Sequence, residues 1–319
     1  MFSQIIASDL RGWEELWPDR PQPKDLRYVL QSRRRVILFL FDAKGKGDKL
    51  VGVIKISRRV EQNASLERSV QLVRQVRQQL SGNILRTVPE TILLPQIHGL
   101  SVSLEQALPG QPMYLGHARW TASKWHHRYW QAWRRWLTEF QQQTMGEVVA
   151  IDVDTVSEVL SPVLEHIPGR DAKALRGIAN RLIGLEFPWA WRYGDAHHSN
   201  ILITQGEVSG LVDWEGTETK HWPASDWFQF GFQYLVDYYR LRYPGTPHSE
   251  LGKRAIDALL LPPDSALASV AQEQTRSFFA AWGVKASFVP ALLVFFLAQF
   301  HWPWDKDLLL KHACARLSE

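Results

Sequence analysis

The stretch WRYGDAHHSNILITQGEVSGLVDWEG, Trp191–Gly216, places an aspartate in a Gly-Asp turn, an asparagine five residues later and a second aspartate beyond a short apolar segment. These residues are Asp195, Asn200 and Asp213. The intervening residues read as a strand, a glycine-containing turn and a second strand, so the two ends return to the same side. Carboxylate and amide oxygens are ligands that Mg²⁺ accepts. The spacing therefore favours a divalent-metal site, and an ordinary polar loop is the alternative.

The composition indicates a globular chain of 319 residues, 45% hydrophobic and 22% charged, which is long enough for two lobes. A net charge of +4 is too small to predict a nucleic-acid partner. The single cysteine, Cys314, excludes an intramolecular disulfide and fits a cytoplasmic protein. We expect no signal peptide, because the first residues lack a basic leader. The most apolar run, Val289–Phe300, is too short to span a membrane. The oligomeric state is left open.

The first third of the chain has strand character. Two strands are expected, Val36–Asp42 and Leu50–Ser57, joined by a turn rich in glycine and lysine. A helix should follow, because apolar residues recur at helical spacing. These residues are Leu66, Val70, Val73, Val76 and Leu80. A second strand pair, TILLPQIHG and VSLEQAL, ends at the turn PGQP.

Beyond this turn the pattern is mostly helical. The segment ASKWHHRYWQAWRRWLTEFQQQ carries aromatic residues on one helical stripe. They are Trp125, Tyr129, Trp133, Trp136 and Phe140. Further helices are expected over about 152–166 and 171–185, and from Ala224 onward. The order predicts an α+β, two-lobed architecture with an N-terminal lobe of residues 1–108 and a helical lobe of residues 109–319.

The motif YGDAHHSNIL followed by GLVDWE resembles the catalytic core of the aminoglycoside phosphotransferases and the choline kinase-like phosphotransferases, which share a protein kinase-like fold. The family pattern is a Gly-Asp, a histidine two residues on, an asparagine, an apolar strand and a final aspartate. Here these are Asp195, His197, Asn200 and Asp213. The segment PASDWFQFG is similar to the family's next helix, in which Asp226 would hold the catalytic loop.

The resemblance extends upstream. GVIKIS looks like the strand whose lysine, here Lys55, holds the nucleotide phosphates. LERSVQLV then supplies Glu67 as the helix partner of that lysine, with Glu61 as a nearby competitor. LEQALPGQPM is similar to the family's hinge, which implies nucleotide-binding positions at Gln106 and Leu108.

The resemblance, which spans about Val36–Gly231, implies an Mg²⁺-dependent kinase that transfers the γ-phosphate of ATP or GTP to a small-molecule alcohol. It implies that Asp195 is the catalytic base. Asn200 and Asp213 would bind the metal and thereby the nucleotide, and Lys55 would bind the phosphates. Each residue also has an ordinary interpretation: a routine turn, an aspartate that closes a strand, or a lysine that faces solvent.

Two departures from the family pattern qualify these expectations. Tyr193 stands where the family usually has histidine, and we expect it to take over a packing role. The turn VLQSRRRVIL has no glycine where a glycine-rich phosphate loop is expected. Arg33, Arg34 and Arg35 would supply charge to the phosphates or to an anionic substrate, or would form a solvated basic turn. A kinase-like binding or scaffold protein without turnover is the alternative function.

The adjacent residues His197 and His198 do not predict a zinc site, because neighbouring side chains are expected to point in different directions and no third ligand follows at metal-site spacing. His197 is expected to support the loop. Glu215, two residues after Asp213, would either offer a further oxygen near the metal or face solvent.

The aromatic and basic composition of the helical lobe bears on the acceptor. The stripe on the first helix is most simply part of the core. Aromatic rings with cationic neighbours that faced a cleft would suit a sugar or an anionic metabolite better than a polycation. The sequence therefore favours a sugar-like or natural-product alcohol over an aminoglycoside or choline.

Overall fold

The computed structural model of the chain describes residues 25–28, 35–42, 49–115, 122–167, 169–299 and 306–317. The described residues form two compact units. Unit 1 comprises those up to Pro109 together with Gly210–Glu215, and unit 2 comprises Gly110–Ser209 and the residues from Gly216 onward. The segment that carries Asp213 therefore belongs to the first unit, although the sequence placed it in the second lobe.

Unit 1 is built on a five-stranded antiparallel sheet with the strand order β1-β2-β3-β5-β4. The elements of unit 1 are β1 Asp25–Tyr28, β2 Arg35–Asp42, β3 Lys49–Ser57, α1 Asn63–Gln79, α2 Gly82–Arg86, β4 Thr91–Ile97 and β5 Leu100–Gln106, with a 3₁₀ turn at Val60–Gln62. The two strands and the helix expected in the first third of the chain are confirmed to within one or two residues at their ends.

The register of the central strands separates the two faces of the sheet. Leu38 pairs with Ile54, and Ile54 pairs with Leu104, so these side chains lie on one face. They belong to a buried apolar cluster. Because successive strand residues face opposite sides, Lys55 and its partner Ser103 lie on the other face.

Helix α1 packs against β4 and β5. Its apolar residues are buried as the sequence predicts: Leu66, Val70, Val73 and Val76, with Leu80 just beyond the helix. Asn63, at the start of α1, donates its amide to the carbonyl of Gly99 at 2.8 Å. The same side chain accepts a hydrogen bond from the backbone N–H of Ser101 at 2.9 Å. These bonds tie the start of α1 to the turn between β4 and β5.

Unit 2 is mostly helical. Its described helices are α3 Ala122–Thr144, α4 Val153–Leu164, α5 Arg170–Asn180, α6 Ala224–Arg242, α7 His248–Leu260, α8 Ala266–Ala281, α9 Val289–Gln299 and α10 Lys306–Arg316. Its short strands are β6 Gln111–Pro112, β7 Val148–Ala150, β8 Glu186–Pro188, β9 Ala190–Arg192, β10 Ile201–Thr204, β11 Glu207–Leu211, whose last residues enter unit 1, and β12 Glu218–His221. The α+β architecture expected from the sequence is confirmed.

Aromatic side chains make up much of the core of unit 2. Trp133 stacks on Trp136, and Trp136 stacks on Phe140, with ring centroids 5.3 and 4.8 Å apart. From α6, Phe230 packs against Trp130 at 5.3 Å. The aromatic stripe of α3 is therefore core from Tyr129 onward, as its simplest interpretation predicts.

Helix α9 is buried along almost its whole length. Among the described residues no single helix is long and apolar enough to cross a membrane. By length and composition alone, one pair bent by 115°, Ala266–Ala281 with Ala286–Gln299, would qualify.

Candidate active site

The loop that carries Asp195 begins at a close backbone crossing within unit 2. Gly194, two residues after the end of β9, has a φ of +88°, which favours glycine. A Cβ atom built on Gly194 would lie 1.8 Å from the carbonyl oxygen of Gly216. A Cβ atom on Gly216 would lie 2.7 Å from the carbonyl oxygen of Gly194. The Gly-Asp turn is therefore fixed by backbone contact as well as by its dihedral angle.

A buried carboxylate holds the same turn. Asp226, at the start of α6, accepts hydrogen bonds from the backbone N–H groups of Tyr193 at 2.7 Å and Gly194 at 2.9 Å. Burial raises the pKa of Asp226, and the nearby Arg192 guanidinium and these two N–H groups offset only part of that shift. Asp226 thus holds the turn that leads into the loop carrying Asp195. The Tyr193 side chain is fully buried, which fits its predicted packing role.

Asp195 and Asn200 meet directly at the two ends of the loop. The Asn200 Nδ2 donates to Asp195 Oδ2 at 2.7 Å and to the backbone carbonyl of Asp195 at 3.3 Å. The backbone N–H of Asn200 donates to the carbonyl of His197 at 2.9 Å. Both residues are half-buried. The amide nitrogen of Asn200 therefore orients the carboxylate of Asp195.

The donor chemistry of Asn200 and Asp213 fits a hard cation such as Mg²⁺. The amide nitrogen of Asn200 contacts Asp195, and its amide oxygen makes no hydrogen bond among the described residues. In unit 1, the Asp213 side chain is half exposed, and its φ of +64° is uncommon for a non-glycine residue. Such backbone outliers cluster at functional sites. Oxygen ligands of this kind are those that Mg²⁺ prefers.

Lys55 lies beside two carboxylates of unit 1. Its Nζ is 3.0 Å from Glu105 Oε1 and 3.8 Å from Asp213 Oδ1, and only 8% of the residue is exposed. Burial lowers the pKa of Lys55, but the charges of Glu105 and Asp213 outweigh burial and raise it above its usual value. Lys55 is therefore a buried cation next to the predicted metal ligand, and not a solvent-facing strand residue.

The predicted pairing of Lys55 with Glu67 is wrong in this structure. Glu67 on α1 accepts a hydrogen bond from the Ser101 hydroxyl at 2.5 Å. The carboxylate in contact with Lys55 comes instead from Glu105. Lys55 lies opposite Ser103, and Glu105 and Ser101 flank Ser103 on the same face of β5. The diagonal cross-strand neighbour is close enough to reach the lysine. The alternation of residues along β5 places Glu105 on the same face as Lys55. This contact can be predicted only when the register between β3 and β5 is known.

The two predicted hinge residues lie at the end of unit 1. Gln106 closes β5, where its backbone N–H donates to the carbonyl of Glu90 at 2.8 Å and its side-chain oxygen faces the Glu90 N–H at 3.4 Å. Leu108 follows and is half-buried. Their nucleotide-binding roles stay predictions.

Of the three arginines in the predicted phosphate turn, Arg33 and Arg34 lie outside the described residues. Arg35 begins β2 and is only 2% exposed. Its Nε donates to Glu215 Oε1 at 3.1 Å, and its Nη2 donates to the Ser65 hydroxyl at 3.1 Å. The solvated-turn interpretation is therefore wrong for Arg35. The ion pair gives Glu215 a partner within unit 1, so this carboxylate does not simply face solvent, and its predicted place near the metal stays a prediction.

The expectation that His197 and His198 diverge is also wrong. Both Nε2 atoms face the same oxygen, Asp237 Oδ2 on α6, at 2.8 Å from His197 and 3.2 Å from His198. The two rings lie 4.3 Å apart. Adjacent side chains diverge in an extended strand, but these residues lie in a loop. The third group, Asp237, is forty residues beyond His197, too far along the chain for sequence spacing to reveal.

Unit 2 also contains a cavity of about 710 Å³ lined by residues of α6, α7, α8 and α10. Tyr238, Tyr239 and Tyr243 form part of its wall, with charged residues such as Arg254 and Asp257. Its lining includes neither Asp195 nor Asn200. The cavity is therefore separate from the predicted catalytic residues.

Comparison with known proteins assigns the family. The model of the phosphotransferase enzyme family matches residues 42–226, more than half of the chain. The chain belongs to this family and is a phosphotransferase enzyme, which confirms the family expected from the sequence motifs. No curated protein sequence matches the chain significantly.

Several solved structures share distant similarity with the chain. A mutant of aminoglycoside phosphotransferase APH(4)-Ia in complex with AMP-PNP and hygromycin B is 11% identical, with a TM-score of 0.45, covering 88% of this chain and 97% of that one. ADP-bound APH(2'')-Ib is 12% identical, with a TM-score of 0.44, covering 85% and 99%. Macrolide 2'-phosphotransferase MphH from Brachybacterium faecium is 15% identical, with a TM-score of 0.42, covering 91% and 98%.

Proposed function

We propose that the protein is an Mg²⁺-dependent small-molecule kinase that transfers the γ-phosphoryl group of ATP, or of GTP, to a hydroxyl of a sugar-like or natural-product alcohol. The observation that carries the proposal is the Asp195–Asn200 hydrogen bond of 2.7 Å within a loop anchored by Asp226. Phosphoryl transfer needs an aligned nucleophile and neutralised phosphate charge more than covalent chemistry from the protein. We assign the alignment of the nucleophile to Asp195. We assign the neutralisation of phosphate charge to Lys55 and to the cation held by Asn200 and Asp213.

Asp195 is the proposed catalytic base. Its carboxylate, oriented by Asn200, accepts a hydrogen bond from the acceptor hydroxyl and takes the proton as the oxygen bonds to phosphorus. The Asp226 tether and the Gly194–Gly216 crossing keep that carboxylate in place. This rigidity supports the role, because small misplacements of a catalytic group cost large factors in rate.

The proposed cation-binding residues are Asn200 and Asp213. Their side-chain oxygens would hold Mg²⁺, which when bound supplies positive charge to the phosphate oxygens. Lys55 would contribute a further point charge on the phosphates. Its place beside Glu105 and Asp213 supports this role, since these carboxylates favour the ammonium form, which attracts an anion.

We propose a neutral or anionic acceptor in preference to a polycation. At the start of α3, Trp125 is only half-buried and carries the Arg128 guanidinium 5.2 Å from its ring centroid, with Lys124 exposed beside them. This pairing supports a sugar ring or an anionic group. The rest of the stripe is core, so the support for this acceptor class comes from these three residues. Cytoplasmic location stays a prediction.

A product screen tests the proposal. Purified protein is incubated with ATP or GTP, Mg²⁺ and pools of sugars, amino sugars, natural-product alcohols, aminoglycosides and choline, and products are detected by the mass of an added phosphoryl group. We expect phosphorylation of a sugar-like or natural-product pool by the wild type and none by Asp195→Ala. Transfer to aminoglycosides alone would refute the acceptor class. The absence of any product and of Mg²⁺-dependent nucleotide binding would favour the scaffold alternative.

A further inference from the structure

Three nitrogen atoms converge on one oxygen of a buried carboxylate in unit 2. Asp237 Oδ2 lies 2.8 Å from His197 Nε2, 3.2 Å from His198 Nε2 and 3.1 Å from Gln233 Nε2. Arg240 donates to the other oxygen, Oδ1. The Asp237 side chain is 3% exposed. A carboxylate oxygen has about two lone-pair positions, so at most two of these three nitrogens can donate to Oδ2 at once.

The outer nitrogen of each histidine has its own partner. His198 Nδ1 lies 3.1 Å from the carbonyl oxygen of Met113, which only accepts, so Nδ1 carries the proton. In the neutral ring, His198 Nε2 therefore directs a lone pair at Asp237. His197 Nδ1 accepts from the Ser199 backbone N–H at 3.2 Å and lies 2.6 Å from the Ser199 hydroxyl, so the neutral ring carries its proton on Nε2. Metal binding at Nε2 would move this proton to Nδ1, where the Ser199 hydroxyl can accept it. A histidine whose Nδ1–H is fixed by a carbonyl is the arrangement that metal-ligating histidines show.

The geometry points to a transition-metal site at His197 Nε2, His198 Nε2 and Asp237 Oδ2, and we propose that it binds Zn²⁺ or a similar divalent ion. The three atoms all lie within 4.8 Å of one another. In a tetrahedral zinc site with bonds of 2.0–2.1 Å, neighbouring ligand atoms are about 3.3 Å apart. The observed separations from Asp237 Oδ2, 2.8 and 3.2 Å, are close to that spacing.

A cation among these three atoms would take the place of the His197 Nε2 proton and would relieve the contact between the His198 Nε2 lone pair and the Asp237 carboxylate. Asp237 Oδ2 would then bind the metal and still accept from Gln233. Arg240 keeps Oδ1 occupied, which makes Asp237 a monodentate ligand. His197 is 28% exposed, so a water molecule can complete the coordination. Two imidazoles and one carboxylate suit zinc, copper or nickel, whereas Mg²⁺ prefers oxygen ligands alone.

The ion would link the catalytic loop to helix α6 at a second point. Asp226 holds the start of that loop, and Asp237 lies three turns further along the same helix. A metal bound by His197, His198 and Asp237 would fix the middle of the loop between Asp195 and Asn200. The site is therefore structural, distinct from the predicted Mg²⁺ ligands, and does not depend on the proposed function.

Cobalt titration tests the site. Untagged protein is stripped with a chelator and titrated with Co²⁺ in excess Mg²⁺, and the visible absorption of tetrahedral Co²⁺ is followed before displacement by Zn²⁺. We expect one equivalent of Co²⁺ per chain, and at least about a hundred-fold weaker binding in His197→Ala and His198→Ala. His198→Gln, which retains a donor for the Met113 carbonyl, serves if the alanine variant does not fold.

Two control variants separate this site from others. His312 pairs with Asp257 at 2.8 Å, and no second histidine in the described part of the chain joins them, so His312→Ala should bind Co²⁺ as the wild type does. Asp213→Asn should also retain the signal. A wild-type protein that binds no Co²⁺, or binding that is unchanged in both His197 and His198 variants, would overturn the proposal and leave a hydrogen-bond network only.

Discussion

Replacing Gly194 by alanine should destabilise the protein far more than its dihedral angle alone requires. Gly184 provides the matched control, because its φ of +85° is close to the +88° of Gly194 while no atom lies within 4 Å of its Cβ position. An alanine at positive φ costs about 1–2 kcal/mol at either position. The alanine at position 194 also meets the carbonyl oxygen of Gly216 at 1.8 Å.

That overlap cannot be relieved by a side-chain rotation, because both groups are fixed to the backbone. One of the two backbone segments that cross here must shift by more than 1 Å to restore a 3.0 Å contact. The shift would break one or both hydrogen bonds from Tyr193 and Gly194 to Asp226, and each bond to a charged group contributes about 1.5–3 kcal/mol. We therefore expect Gly194→Ala to lose about 3 kcal/mol more free energy of unfolding than Gly184→Ala.

Thermal unfolding of the two variants measures this difference. At about 2–4 °C per kcal/mol for domains of 150–250 residues, Gly184→Ala should lower the Tm by a few degrees and Gly194→Ala by at least about 6 °C more. Urea unfolding of the same proteins gives an independent value. Equal losses in the two variants would refute the inference that backbone contact at Gly216 fixes the Gly-Asp turn.

Two further perturbations follow from buried ionisable groups. Burial lowers the pKa of His126 to about 4 from 6.5, so the unfolded chain binds more protons across this window and stability falls as the pH drops from about 6.5 to about 4. His126→Phe should remove the contribution of His126 to this pH dependence, of order 3 kcal/mol, and leave that of His221, whose pKa is also about 4. Urea unfolding across this pH range measures the change, and a pH dependence equal to that of the wild type would contradict the prediction. Arg35→Ala should lower the free energy of unfolding by about 2–4 kcal/mol, because Glu215 loses its buried partner. The control Arg68→Ala, at an exposed residue, should lower it by less than about 1 kcal/mol. Similar losses in the two variants would argue against the ion pair.

Local patterns predicted most of what lies close together in the sequence. The strand Leu50–Ser57, helix α1 and the hairpin after Asn200 depend on periodicity and turn chemistry, which act over a few residues. The Asp195–Asn200 bond joins residues five apart, so its spacing is visible in the motif. These features were accessible because neighbouring residues determine them.

Contacts that depend on register or on distant helices were not accessible. Pairing Lys55 with Glu105 instead of Glu67 requires the alignment of β3 with β5, which sequence periodicity does not determine. The convergence of His197 and His198 requires a turn conformation and the position of α6. Charge patterning left the role of Arg35 open, and the structure shows that Arg35 is buried and pairs with Glu215.

Nucleotide binding by two single variants tests the kinase proposal most directly. Titration calorimetry with ATP, in the presence and absence of Mg²⁺, is compared for the wild type, Asp195→Ala and Asp213→Ala. We expect Mg²⁺ to strengthen binding in the wild type and in Asp195→Ala, and Asp213→Ala to lose at least tenfold in affinity with Mg²⁺ present. Equal losses in the two variants, or no effect of Mg²⁺ on the wild type, would contradict the roles assigned to these carboxylates.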